Sequence, residues 1–418
     1  MQHVAGEINF KTFLQTVGVH MKHIKHIICA SLAAISLAGC GGGGGVTSSN
    51  SIGFTSLVSF GDSLSDAGTY AVGTVAAVGG GRYTVNSGTT TPTKIWLDLL
   101  STQLGLPAPC AAVKGLDGFA AQGFSVPATS QLGCTNYAQG GSRATHPIGP
   151  GNKNIPASAA LGQLTYPLTV QVADHLSRHA GAFSPKALVT VLAGGNDIFI
   201  QGAVAQAAAT MASTPTASNI AAFTATATNI GGWTSAEQLA VLTATSAAAG
   251  QAALQAGLLA NMAKAGAEQA TLVKTQIIAK GAKYVLVINL PNTGATPMGF
   301  AAGPQTAALS TAMSQAFNQT LATGLVGSAG VLVADAFTAS TDQYNNPSAY
   351  GLSNVTARSC KTDFSNILGG VPLVCTPSNV ITGDISRYGF ADDVHPSPYG
   401  HQLLAQFAAK ALATAGWL

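Results

Sequence analysis

Short apolar runs, each stopped by glycine or proline and followed by small polar residues, recur along this chain. Leu57 to Phe60 ends at Gly61-Asp62-Ser63-Leu64, and Ala187 to Ala193 ends at Gly194-Gly195-Asn196-Asp197. Tyr284 to Leu290 stops at Pro291-Asn292, Val331 to Asp335 follows, and a shorter run at Thr135 to Ala138 is broken by Gly140-Gly141. Continuous Val, Ile and Leu without polar alternation predict strands buried on both faces. Between the runs, helical spacing predicts helices over Thr93 to Leu104, Gln163 to His179, about Ser235 to Lys280, Gln305 to Leu325 and Pro398 to Ala415. In the first of these, Ile95, Trp96, Leu99 and Leu100 share one face. The last has Ser397 as its N-cap and Pro398 at its first position. Alternating buried strands and helices imply a parallel sheet covered on both sides, an α/β fold of three layers.

The rest of the pattern is less regular. Residues 73–93 are glycine-rich, and residues 105–135 and 340–390 read as long, partly irregular excursions. From Gln201 to Gly250 the chain is nearly pure Ala, Thr, Ser and Gln, with Glu237 its single charge. Residues 200–270 therefore predict a helical insertion. It is read as a layer packed on the sheet, with an apolar lid or acyl-binding flank over the site as the functional alternative. No internal repeat is visible, and residues 53–418 read as one domain with long insertions.

Composition changes the picture at the N-terminus. Charged residues make up 8% of the chain, against about 25% in ordinary soluble proteins. Such a surface meets water through Ser, Thr, Asn and Gln, which points to an exported protein. Met21 to His26 is a basic stretch, Ile27 to Leu37 a short apolar one, and Leu37-Ala38-Gly39-Cys40 closes it. This is too short to span a bilayer and reads as an export signal. Its ending resembles a bacterial lipobox, which makes Cys40 the expected site of lipidation and membrane anchoring. Residues 1–20 read as an upstream extension and 41–52 as a flexible tether. The expected location is the cell envelope, or the exterior if secreted. Without the leader's three lysines and one glutamate, the net charge of +3 falls to +1. Nothing in that charge recruits nucleic acid.

Of six cysteines, Cys29 and Cys40 lie in the leader. The remaining even number in an exported chain predicts two disulfides. Of three connectivities, the local pairs Cys110 with Cys134 and Cys360 with Cys375 are preferred. Each contributes about 3 kcal/mol in the chain-entropy picture. No cysteine or histidine spacing suggests zinc, and neither metal nor cofactor is expected.

In open parallel sheets, ligands collect at the carboxyl ends of the strands. Those ends carry Ser63, Gly140-Gly141 and Asn196, and Asp392-Asp393-Val394-His395 precedes the last helix. A serine hydroxyl needs a base, and histidine is the suitable one. Past the leader stand His146, His175, His179, His395 and His401. His175 and His179, four residues apart on a polar helix face, are expected to be merely exposed. His395 alone follows nearby carboxylates in a loop, and Asp392 and Asp393 both qualify to orient it. The Ser63 N–H, an N–H of Gly140 or Gly141 and the Asn196 amide are candidate donors for a tetrahedral oxyanion.

These blocks resemble the GDSL, or SGNH, hydrolases. Gly61-Asp62-Ser63-Leu64 is similar to the first block, Asn136-Tyr137-Ala138-Gln139-Gly140-Gly141 to the second, Gly194-Gly195-Asn196-Asp197 to the third and Asp392-Asp393-Val394-His395 to the last. Gly81-Arg82-Tyr83-Thr84, followed by Trp96, resembles the secreted lipase, phospholipase and haemolysin branch, with the gap before the tryptophan expanded. The resemblance implies a flavodoxin-like sandwich with about five parallel strands. It makes Ser63 the nucleophile, His395 the base, Asp392 its orienting carboxylate and Asp393 structural. Ser63, Gly140 and Asn196 form the implied oxyanion hole, with Gly141 the alternative to Gly140. No G-x-S-x-G elbow is present, which separates the chain from α/β-hydrolases. The implied activity is hydrolysis of acyl esters, including those of lipids and phospholipids. The alternatives are a carbohydrate O-acetylesterase and a surface-binding lipoprotein without chemistry.

Overall fold

In each apolar run, alternate residues face opposite sides of one sheet. The chain supplies β1 (Ser56–Gly61), an antiparallel hairpin of β2 (Val113–Asp117) and β3 (Ser125–Ser130), then β4 (Ala187–Leu192), β5 (Tyr284–Ile288) and β6 (Val331–Ala334). β1, β4, β5 and β6 pair in parallel in that order. This computed structural model describes residues 52–89, 91–363, 368 and 371–418. The leader, Cys40 and nearly all of the tether lie outside the described residues.

The predicted strand at Thr135 to Ala138 lies beside β1 but is reduced to a bridge at Asn136. Ser59 N–H donates to the Thr135 carbonyl at 3.0 Å, and Tyr137 and Gln139 N–H donate to the Ser59 and Gly61 carbonyls at 2.8 and 3.1 Å. About five strands were expected, and four form. The run is curtailed by the Cys110–Cys134 disulfide before it and by Gly140-Gly141 after it. With the bridge counted, the order along the sheet is second, first, third, fourth, fifth. This is a flavodoxin-like order, whose switch point falls between β1 and β4.

The principal helices are α1 (Trp96–Gln103), α2 (Leu168–Arg178), α3 (Gly195–Ser213), α4 (Ala217–Thr226), α5 (Ser235–Leu242), α6 (Ala247–Leu272), α7 (Pro304–Leu325), α8 (Ala336–Asn345) and α9 (Pro398–Thr414). Val58, Phe60, Val189, Val191, Val285 and Val287 face a core completed by α2, α3, α4, α6 and α7. Leu57, Leu188, Leu192, Leu286 and Ile288 face the other, against α1 and α9. The Ala-rich insertion is thus a layer on the sheet. Its small residues permit close approach: a Cβ on Gly266 would lie 2.2 Å from the Phe317 carbonyl oxygen.

Helix ends differ from the expected ones for local reasons. Pro167 starts α2 later than expected, with Thr165 in a left-handed conformation before it. The long helix expected from Ser235 breaks after α5 and restarts where Ser246 caps Ala249. Ser397 Oγ accepts the Gly400 N–H at 3.0 Å, and Pro398 follows it as expected. Both local disulfides form, and the second encloses the segment between the short parallel strands β7 (Asn354–Arg358) and β8 (Tyr388–Phe390). Among the described residues no helix is long and apolar enough to cross a membrane.

Candidate active site

Ser63 sits just past β1, at the switch point. A Cβ on Gly61 would lie 2.4 Å from the Leu192 carbonyl oxygen, so only glycine lets β1 end this close to β4. The Gln171 side chain holds Gly61 from above, accepting its N–H at 2.9 Å and donating to its carbonyl at 2.8 Å. The turn then closes on Asp62, whose carboxylate accepts the Leu64 N–H at 3.1 Å and whose carbonyl accepts the Ser65 N–H at 3.1 Å.

The chain returns to this point 332 residues later, where His395 Nε2 lies 2.8 Å from Ser63 Oγ. His395 Nδ1 is 2.7 Å from Asp392 Oδ2, and Asp392 Oδ1 accepts the backbone N–H groups of Val394 at 2.9 Å and His395 at 2.6 Å. Burial alone would raise the Asp392 pKa. The adjacent imidazole and the donated hydrogen bonds outweigh it and hold the carboxyl below its ordinary value. Asp393 points elsewhere, 3.1 Å from Arg358 at the surface. Of the two candidate carboxylates, only Asp392 is in contact with His395.

The Tyr83 ring packs against His395 with centroids 4.9 Å apart. Its hydroxyl accepts from Gln163 Nε2, and its carbonyl lies 3.5 Å from His401 Nε2. Arg82 beside it forms a buried ion pair with Asp98, and Trp96 Nε1 donates to Ser65 Oγ at 3.3 Å. The Arg-Tyr-Thr segment and Trp96 thus form the wall behind the serine and histidine.

The candidate oxyanion donors are sorted by what they already hold. Asn196, in the first turn of α3, donates from Nδ2 to the Ser142 carbonyl at 2.8 Å, and its second hydrogen has no acceptor among the described residues. The Ser63 and Gly141 N–H groups donate to no acceptor among the described residues. Gly140, the donor that the resemblance implies, already has an acceptor for its N–H. Its N–H donates to Asp66 Oδ2 at 2.9 Å, and Asp66 Oδ1 is occupied by Gly68 and Thr69. A backbone N–H has one hydrogen, so of this pair only Gly141, which adopts φ +80°, keeps an N–H without an acceptor among the described residues. Gly140 instead makes room for Tyr83, whose hydroxyl oxygen a Cβ there would meet at 2.0 Å.

Asp62 is 3% exposed. Burial, with a further push from Asp197, raises its pKa to about 7 against the opposing Leu64 hydrogen bond and His395. Asp197 is itself held by Arg143 at 2.8 Å and by the Ala144 N–H at 3.1 Å.

The other histidines stand apart from Ser63. His175 was expected to be exposed and is buried instead: its ring stacks on Phe183 and on the exposed His179, each at 4.3 Å. Burial, with His179 and Arg178 beside it, lowers its pKa to about 3. His401 is fully buried behind Tyr83, and burial lowers it likewise to about 3. His146 is half-buried, and its Nδ1 accepts the Ile148 N–H at 3.1 Å. Sequence reasoning missed Asp66, Gln171 and the Arg143–Asp197 pair. Tyr83 lay within a quoted motif but without an assigned role.

This arrangement can draw a proton from a hydroxyl and face the resulting negative charge with unpaired N–H donors. The model of the family described as GDSL-like Lipase/Acylhydrolase matches residues 57–408. A comparison with curated proteins finds no match. With the Ser63 cluster and nearly all of the sheet and its cores inside the matched span, the chain belongs to the GDSL-like lipase/acylhydrolase family, serine hydrolases that act on esters.

Proposed function

We propose that the protein hydrolyses carboxylic acyl esters through an acyl-enzyme on Ser63. The observation that carries this reading is the 2.8 Å hydrogen bond between Ser63 Oγ and His395 Nε2. His395 takes the hydroxyl proton as Ser63 attacks the carbonyl carbon, and Asp392 keeps the Nδ1–H tautomer and stabilises the imidazolium. Negative charge on the carbonyl oxygen is met by the N–H groups of Ser63 and Gly141 and by Asn196 Nδ2. When the intermediate collapses, His395 gives its proton to the departing alkoxide. Water then repeats the sequence on the acyl-enzyme and releases the acid.

The two disulfides support an oxidising compartment. With the leader, they favour an exported protein carrying a lipid on Cys40. Replacing Ser63 by Ala should abolish hydrolysis of p-nitrophenyl butyrate while the melting transition persists. Retained turnover would sink the assignment. Incorporation of labelled palmitate, lost in Cys40→Ser, tests the anchor.

A further inference from the structure

A cavity of about 120 Å³ adjoins the site on the face of the sheet that carries α8 and α9. Leu64, next to Ser63, and Val394, next to His395, both line it. Leu192 and Ile288 contribute from the ends of β4 and β5, Ala339 from α8 and Phe407 from α9. Its polar side chains are Asn292, Thr296, Ser340, Gln343 and Tyr344, and the rest of the lining is mostly apolar. No residue of the Ala-rich insertion takes part.

We propose that this cavity is the acyl pocket and that it selects chains of about four to six carbons, a cavity of about 150 Å³ being enough for benzene. The inference rests on the acyl-enzyme reading of Ser63. In that chemistry the alcohol must leave and water must enter in its place, so the alcohol side needs an open, wettable path. The acyl chain stays covalently attached through both steps, and a largely apolar recess suits the part that stays. Leu64 and Val394, which line the recess, are the chain neighbours of the two reacting residues.

The pocket makes a quantitative demand. Each methylene buried in it should raise kcat/KM about fourfold. Hexanoate should therefore exceed acetate by on the order of a hundredfold, with no further gain beyond the cavity's length. The test is a p-nitrophenyl ester series from acetate to palmitate, run on the native protein, Ala339→Phe and Phe407→Ala. The native optimum is expected at four to six carbons. Ala339→Phe fills the recess and should lower the hexanoate-to-acetate ratio at least tenfold, while Phe407→Ala should move the optimum to longer chains. An unchanged ratio in both variants, or a native optimum at dodecanoate or beyond, overturns the assignment. So does a parallel series of acetate esters in which rate follows the alcohol's length instead. Fluorophosphonate labelling of each variant separates a lost pocket from a lost fold. A native protein inert to every ester would overturn the Ser63 reading itself, a result distinct from a flat chain-length profile.

Discussion

Replacing Asp392 by Asn is the sharpest single perturbation of the catalytic reading, because the structure dictates how the amide must sit. Asp392 Oδ1 accepts two backbone N–H groups, at 2.9 and 2.6 Å. An asparagine must keep its oxygen there, since an NH₂ group would face two donors. Its NH₂ then occupies the Oδ2 position, 2.7 Å from His395 Nδ1. Nδ1 is forced to accept, so the imidazole proton moves to Nε2 and points at Ser63 Oγ. A base in that tautomer cannot take the serine proton. The equivalent tautomer fault in other serine hydrolases lowers kcat about 10⁴-fold, or about 5.4 kcal/mol of barrier. The assay is kcat/KM for p-nitrophenyl butyrate, with a thermal melt to show that the fold survives. Asp393→Asn is the control, since Asp393 faces Arg358 and should change the rate less than threefold. Asp392→Asn within tenfold of the native rate, or Asp393→Asn matching its loss, would refute the reasoning.

Other consequences follow from the same geometry. Asn196→Ala removes one oxyanion donor and should lower kcat by about 10² to 10³ with little change in KM; a change confined to KM would contradict the role. Tyr83→Ala takes away the ring packed on His395 and should cost on the order of 10² in kcat with the fold intact by thermal melt. Tyr83→Phe keeps the ring and should restore the rate. Asp62 binds a proton in the folded state up to about pH 7 but only to its ordinary value of 3.8 in the unfolded chain, so stability is lost as pH rises between those values and the loss is complete above the upper one. Asp62→Asn retains the Leu64 hydrogen bond without that penalty. Its melting temperature should exceed the native one at pH 8 and converge with it near pH 4, and equal melting at both pH values would refute the burial argument.

What could be read along the chain was whatever depends on near neighbours. The strand runs were legible because burial on both faces leaves no polar alternation, and the runs that form β1, β4 and β5 split residue by residue between two cores. The local disulfides and the Ser397 cap were legible for the same reason. The misread features depend on distant partners. The N–H of Gly140 is held by the Asp66 carboxylate, 74 positions away. Gln171 reaches Gly61 across 110. His175 is buried because Phe60, Tyr137 and Phe183 close around it, which the spacing to His179 cannot reveal. The strand at Thr135 shrinks to a bridge because a disulfide and a glycine pair end it, although its residue pattern is correct. The choice of Asp392 over Asp393 came from the family resemblance, and the physical reason for it is the Arg358 contact that turns Asp393 away.

The central claim is that Ser63 Oγ is an activated nucleophile, and covalent trapping tests it most directly. A fluorophosphonate probe, followed by proteolysis and peptide mass measurement, should place one adduct on the peptide containing Gly61-Asp62-Ser63-Leu64. Labelling should vanish in Ser63→Ala and slow sharply in Asp392→Asn. A folded native protein that takes no label, or takes it on another residue, would contradict the account.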